Sequence, residues 1–330
     1  MNTKVNMLVA IGLTTMILVA LMVIPVSAST SCTFTTIDTT MYLDGDCTTD
    51  GTIYISDGFT LDGQDYTITA IDPSSGHFVG AVVQNAGSTA YVTHLNVTAS
   101  GLLNVCDGGA NRLRGIMFEA ASGSITNSTV IGINQGYNGC QEGNAIEIRN
   151  APFDGTHPNT VQVGVTNNRI DDYQKTGVVA NGDVDVAVNN NYIGSADLDD
   201  YIAANSVQFG YGGMGSANNN TILGNDWDGI SDYVGTAVLL YAAGDVNIKK
   251  NQIEGIGTDV GVFASYSGTV NIMNNSIHRE PESECEKDDY GFGVWFYGNA
   301  GKSKLVHNTF SGWLTPYNGA DLDKVNTVLP

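Results

Sequence analysis

Between residues 81 and 297 the chain repeats a short apolar–polar alternation led by a small residue. The copies are Ala81-Val82-Val83-Gln84, Gly115-Ile116-Met117-Phe118, Ala145-Ile146-Glu147-Ile148, Gly177-Val178-Val179-Ala180, Ser206-Val207-Gln208-Phe209, Ala237-Val238-Leu239-Leu240, Gly261-Val262-Phe263-Ala264 and Gly293-Val294-Trp295-Phe296. Side chains alternate faces along a strand, so Val178, Val207, Val238, Val262 and Val294 point one way, toward a core. A Gly-containing turn and a second alternating strand follow each copy. Then comes an Asn-rich turn: Asn167-Asn168-Arg169-Ile170, Asn190-Asn191-Tyr192-Ile193, Asn219-Asn220-Thr221-Ile222, Lys250-Asn251-Gln252-Ile253, Asn274-Asn275-Ser276-Ile277 and His307-Asn308-Thr309-Phe310. A looser copy is Asn127-Ser128-Thr129-Val130. Anchored on the second residue, the intervals are 23, 29, 31, 24 and 33 residues.

Each unit therefore predicts strand, turn, strand, Asn turn, very short strand and variable loop. One unit cannot bury its apolar face alone, so units stack and share a continuous core. Asn tolerates a tight left-handed turn, and in a stack its amide can bond the equivalent Asn one rung away. A propeller or sandwich needs antiparallel hairpins at even spacing. One Asn turn per three-strand unit favours an all-β solenoid instead.

The pattern resembles the right-handed parallel β-helix proteins of the pectate-lyase-like superfamily over roughly residues 50–310. Leu61-Asp62-Gly63-Gln64 with Tyr66-Thr67-Ile68 looks like an opening rung of that kind. The division predicted is a signal segment 1–28, an N-terminal cap 29–50, a parallel β-helix 51–310 and a C-terminal cap 311–330. The caps would cover strand edges left open at both ends.

Composition narrows the partners. The chain has 13 Lys and Arg against 34 Asp and Glu, a net charge of −21, and no Lys or Arg from 29 to 111. A duplex nucleic-acid binder needs a basic face, so nucleic acid is excluded as a partner class. Lys4, the apolar stretch 7–24 and Val26-Ser27-Ala28 read as a secretory signal, with an uncleaved anchor as the alternative. No later stretch is apolar enough to span a membrane, so a secreted or cell-surface location is expected. Export permits disulfides. Cys106 and Cys140 lie in loops preceding neighbouring rungs, which stack about 4.8 Å apart, close enough for a bridge. Elimination leaves Cys32–Cys47, with Cys285 unpaired in the acidic loop 280–289.

The resemblance implies activity on the outer face of the leading strands. The first outward row reads Val83, Met117, Glu147, Val179, Gln208, Leu239, Phe263, Trp295. The second reads Asn85, Glu119, Arg149, Asn181, Gly210, Tyr241, Ser265, Tyr297. The row before them, Gly115 to Gly293, is nearly all Gly, Ala or Ser and predicts a shallow groove. Glu119 and Glu147 are a candidate carboxylate pair at a diagonal of roughly 8 Å, within the span of inverting glycosidases. Arg149 would hold a sugar group, or pair with Glu119 in a cross-rung salt bridge. Asp171, Asp172 and Lys175, and one rung on Asp199 and Asp200, superficially resemble a polygalacturonase Asp pair. The Gly-His-Gly and Arg-Ile-Lys signatures of that family are absent, as are the pectate-lyase Trp-Ile-Asp-His and the epimerase Asp-Pro-His. Loop capping and calcium, the latter also at Asp226, Asp228 and Asp232, are alternative uses of these acids.

Asn181, Gln208, Tyr211, Tyr241, Trp295 and Tyr297 are candidate sugar-binding residues, since aromatic rings stack on sugar faces. A satellite core under loops is the alternative for the aromatics. The five histidines show no zinc spacing, and His157 is an acid–base candidate near Arg149. Two functions remain open. One is a secreted protein that binds and cleaves an extracellular polysaccharide or cell-envelope glycan, as a hydrolase or lyase, with Ca2+ as a candidate cofactor. The other is a non-catalytic structural or adhesin-like surface protein.

Overall fold

The computed structural model describes residues 30–153, 159–196, 201–229, 233–280, 291–298, 303–318 and 325–329. The signal segment, His157, Asp199, Asp200, Asp232 and Cys285 lie outside them. Among the described residues there is no α-helix, and a single 3-10 turn spans Gly109–Asn111. Over the described residues the chain winds as a right-handed parallel β-helix of three sheets, one of ten strands and two of eleven. Each coil contributes one strand to each sheet. Arg114–Glu119 joins the ten-stranded leading sheet, Ser122–Thr126 the second and Thr129–Ile133 the third, before Asn144–Asn150 returns to the first.

The predicted inward column is present. Ile116, Ile146, Val178, Val207, Val238, Val262 and Val294 pair in register and are fully buried. Each such side chain contributes about 1.5–3 kcal/mol of transfer free energy. The Asn turns divide their work between two residues. The first takes a left-handed backbone, with φ of 58° at Asn167, 56° at Asn190 and 55° at Asn219. The second is buried and builds a ladder. Asn220 Nδ2 donates to Val188 O at 2.9 Å and to Asn251 Oδ1 at 2.9 Å. Its Oδ1 accepts from Asn191 N at 2.9 Å and Asn191 Nδ2 at 3.0 Å. The same pattern runs from Asn168 to Asn308 and passes on to Asn326, whose Oδ1 accepts from Asn308 N at 2.9 Å.

Two outer-face assignments are corrected. The small-residue row does not line an outer groove. Ile116 pairs with Ile146 and Arg114 with Asn144, but Gly115 between them forms no such pair, and it turns inward. A Cβ there would lie 2.7 Å from Val130 Cγ1, and one on Gly177 would lie 2.9 Å from Ile193 Cγ2. Small residues are needed because the leading and third sheets converge at that corner. The front rung is also shifted by one residue. Val83 pairs with Ile116 and is 0% exposed, while Gln84 pairs with Met117. Asn85 is correspondingly buried, and its amide bonds Glu119 N at 2.7 Å and Glu119 O at 2.9 Å. Two consecutive valines fit either alternation phase, and only pairing with the next rung chooses.

At the front, Phe34–Ile37 and Thr40–Leu43 form an antiparallel hairpin, whose second strand pairs in parallel with Phe59–Asp62. Cys32 and Cys47 are bridged beside it with Cα atoms 4.9 Å apart. Cys106 and Cys140 form a second bridge at 5.1 Å. At the far end Thr315–Asn318 and Thr327–Val328 extend the leading and third sheets, so strand pairing continues beyond residue 310.

The ladder makes a test. Asn220→Ala removes four buried hydrogen bonds and strands their partners, with an expected cost of at least about 2 kcal/mol. Asn271→Ala removes one half-exposed bond to Asn247, 3.2 Å long, and costs about 1 kcal/mol or less. Urea unfolding midpoints compare them, and equal losses would show that the ladder carries no special share.

Candidate functional site

The outer face of the leading sheet divides into two regions. In the first, charges alternate in a closed chain. Arg149 pairs with Glu119, and its Nη1 lies 4.0 Å from Glu147 Oε1. Arg114 Nε donates to Glu147 Oε2 at 2.5 Å, and Asn144 Nδ2 donates to the same oxygen at 2.9 Å. Arg114 is 1% exposed and Glu147 5%. The remaining guanidinium hydrogens of Arg114 reach Arg112 O at 2.7 Å and Gly109 O at 3.0 Å, pinning the loop over the rung. Glu142, also buried, holds that loop from the other side by accepting from Asp107 N at 2.7 Å and Leu113 N at 2.8 Å. Glu119, Glu147 and Arg149 are thus together, but both carboxylates already face guanidinium groups. Arg114 was missed by sequence reasoning. It sits one residue before the small-residue row, which was itself read on the wrong face.

Asp171 and Asp172 are not part of this group. They lie on the strand Arg169–Tyr173 of the third sheet. Asp171 pairs with Arg169 at 2.7 Å, and Asp172 accepts from Asn134 Nδ2 at 3.0 Å. Lys175 leads instead into the second region.

That region is a cleft of about 840 Å³ over the later rungs. Its floor is a column of paired residues, Gln208, Leu239, Phe263 and Trp295. Phe263 and Trp295 stack with ring centroids 4.7 Å apart. Tyr211 and Tyr241, each close to half exposed, meet edge-on at 5.5 Å along one rim. Asn181 accepts from Gln208 Nε2 at 3.2 Å, in space that exists because residue 210 is glycine. A Cβ on Gly210 would lie 2.5 Å from Asn181 Oδ1. Tyr297 stands next to Trp295, at 6.1 Å, and is half exposed. Lys175 enters from the side, where its Nζ donates to Ala203 O. Burial lowers its pKa to about 8.

Trp227 and Tyr233 also line the cleft and were not anticipated. They belong to the loop that gives the 31-residue interval its extra length, so the uneven spacing was the available signal. This loop is anchored by an acid pair. Asp226 and Asp259 are both 7% exposed, and Gly235 N donates to Asp259 Oδ2 at 2.7 Å. Burial first, then the adjacent Asp226 carboxyl to which it is hydrogen-bonded, pushes Asp259 up to about 8, against the opposing pull of Gly235 N–H and Arg279. Among the described residues one trio brings ligand atoms together within 4.8 Å, Cys106, Cys140 and Glu142. Its sulfurs are bonded to each other and its carboxylate to backbone amides, so it is committed to structure.

A family model described as right handed beta helix region matches residues 114–315. Among solved structures, the Dettilon tailspike protein (gp208) matches at 12% identity with a TM-score of 0.41, covering 88% of this chain and 60% of that one. This chain thus spans less than two thirds of the tailspike's length. No curated protein matches the chain.

The acid pair sets a pH dependence. The folded chain holds a proton on Asp259 that the unfolded chain releases near pH 4. The contribution of this pair to stability therefore falls as pH rises from about 4 to about 8, because the folded state binds the extra proton. Asp259→Asn keeps a neutral, hydrogen-bonding side chain and should flatten that fall. Its urea midpoint should match the parent near pH 5 and exceed it at pH 8, and parallel curves would refute the shared proton.

Proposed function

Starting from a chain that belongs to the right-handed β-helix family, we propose that it binds an extracellular polysaccharide or cell-envelope glycan in the cleft floored by Gln208, Leu239, Phe263 and Trp295. The fold alone does not choose a function. The observation that carries the reading is the aromatic column itself. Stacked strands repeat about every 4.8 Å, so Leu239, Phe263 and Trp295 form a continuous apolar track with the Gln208 amide at one end. Sugar rings offer apolar faces and polar edges, and aromatic residues match both. The exposed Tyr211 and Tyr241 add aromatic surface along the rim of the cleft. Two disulfides support an export route, and no helix among the described residues is long and apolar enough to cross a membrane.

The closed ion chain favours binding over hydrolysis by Glu119 and Glu147. A general acid must reach the glycosidic oxygen, and a water or nucleophile must reach the other face. Here Glu147 is buried against Arg114 and Glu119 is engaged by Arg149. The pair works as a clamp across neighbouring rungs. The net charge of −21 repels densely charged polyanions, which points to a neutral or sparsely charged glycan.

Affinity electrophoresis against a panel of neutral and acidic polysaccharides tests this, with reducing ends followed in parallel. Retardation without new reducing ends is the expected result. Trp295→Ala should weaken binding about tenfold, corresponding to about 1.4 kcal/mol of lost stacking. Tyr54→Ala, an exposed aromatic at the opposite end of the sheet, should leave it unchanged. No retardation by any glycan, or equal retardation of the Trp295→Ala protein, would remove the assignment.

A further inference from the structure

Among the described residues, the cleft contains a cation without a counter-ion. Lys175 is the one charged side chain among the described residues that line it. Its ammonium has three donors, and its side chain makes a single hydrogen bond, to Ala203 O. Among the described residues no carboxylate lies within ion-pair distance of it. Shortage of acids is not the cause, since Asp and Glu outnumber Lys and Arg by 34 to 13. On the leading sheet the neighbouring arginines are matched, Arg114 with Glu147 and Arg149 with Glu119. A buried charge is retained at a cost unless something pairs with it.

A second donor stands in the same cleft. Asn205 lines the cleft on the strand next to the lysine, its backbone N donating to Lys175 O at 3.0 Å, and its Oδ1 accepts from Thr236 Oγ1 at 2.9 Å, which leaves its amide N–H2 as a donor. An ammonium with donors to spare and an amide N–H2 make a seat for an anionic oxygen group.

We propose that the cleft selects a glycan bearing an isolated anionic substituent, a carboxylate or a sulfate, and seats that group on Lys175. This rests on the saccharide reading above and specifies its ligand. The net charge of −21 makes the substituent sparse, since a run of anions would meet repulsion outside the cleft.

The seat also links binding to protons. Burial lowers Lys175 to about 8, so the empty cleft loses its positive charge as pH rises through that value. A bound anion favours the ammonium and raises the pKa. Affinity for the anionic ligand therefore declines above about pH 8, and binding there takes up a proton.

Three probes test the assignment on the whole protein: methyl β-D-glucuronide, glucose 6-sulfate and neutral methyl β-D-glucoside. Calorimetry gives affinities, and side-chain NMR of Lys175 gives its titration midpoint. At pH 6.5 at least one anionic sugar should bind about tenfold more tightly than the glucoside and raise the midpoint by about one unit. The stronger of the two identifies carboxylate or sulfate. Lys175→Met should abolish the preference, and Lys175→Arg should retain part of it. Equal binding of all three sugars, or a preference that survives in Lys175→Met, overturns the anion seat and leaves the saccharide reading standing. Absence of binding by all three, with Lys175 unmoved, overturns both.

Discussion

The structure depends on one constraint: every strand must find its partner in the rung above and the rung below. No coil of this chain has enough apolar surface to fold alone, and its backbone groups are satisfied only by neighbours in the stack. The buried asparagine ladder enforces the spacing. Each amide spans two rung interfaces at once, donating backward to a carbonyl such as Val188 O and forward to the next Asn. A slip of one residue would strand these buried groups and turn the core-facing valines outward.

This constraint converts a one-dimensional sequence into columns. Residues about 23 to 33 positions apart become nearest neighbours, so the outer face is organised by column and not by local sequence. Along the leading sheet the early rungs carry opposite charges, and those charges close on each other. Arg114, Glu147, Arg149 and Glu119 tie successive rungs and hold the loop above them. The later rungs carry aromatic and amide side chains, and loops beside them leave a cleft open. Lys175 stands at the cleft's side. Its position follows from the turn after Tyr173, while its exposure to the cleft follows from the loop that carries Ala203.

Several features show how legibility ended. The stacking of rungs and both disulfides were readable, because periodic valines, Asn turns and equivalent loop positions leave few arrangements. The phase of the front rung was not, since Val82 and Val83 satisfy either alternation. The small-residue row was legible as a pattern but not as a face. Only the approach of Val130 and Ile193 explains why Gly115 and Gly177 point inward. Asn326 continues the ladder from a segment with no strong repeat around it. Trp227 and Tyr233 sit in irregular loops, where period carries no information about direction.

The amino-acid sequence by itself determined the three-strand unit, its stacking and the inward valine column from Val178 to Val294. Those follow from alternation and turn chemistry, which are local and repeat often enough to be read. Tertiary structure decided which charged groups neutralise one another, where the outer face stays open and which buried groups remain unmatched. Those outcomes depend on distances across rungs and on the paths of non-repeating loops. Glu119 and Lys175 look alike in sequence, as polar residues beside a strand. One meets a guanidinium on the next rung, and the other meets a backbone carbonyl at the side of an aromatic cleft.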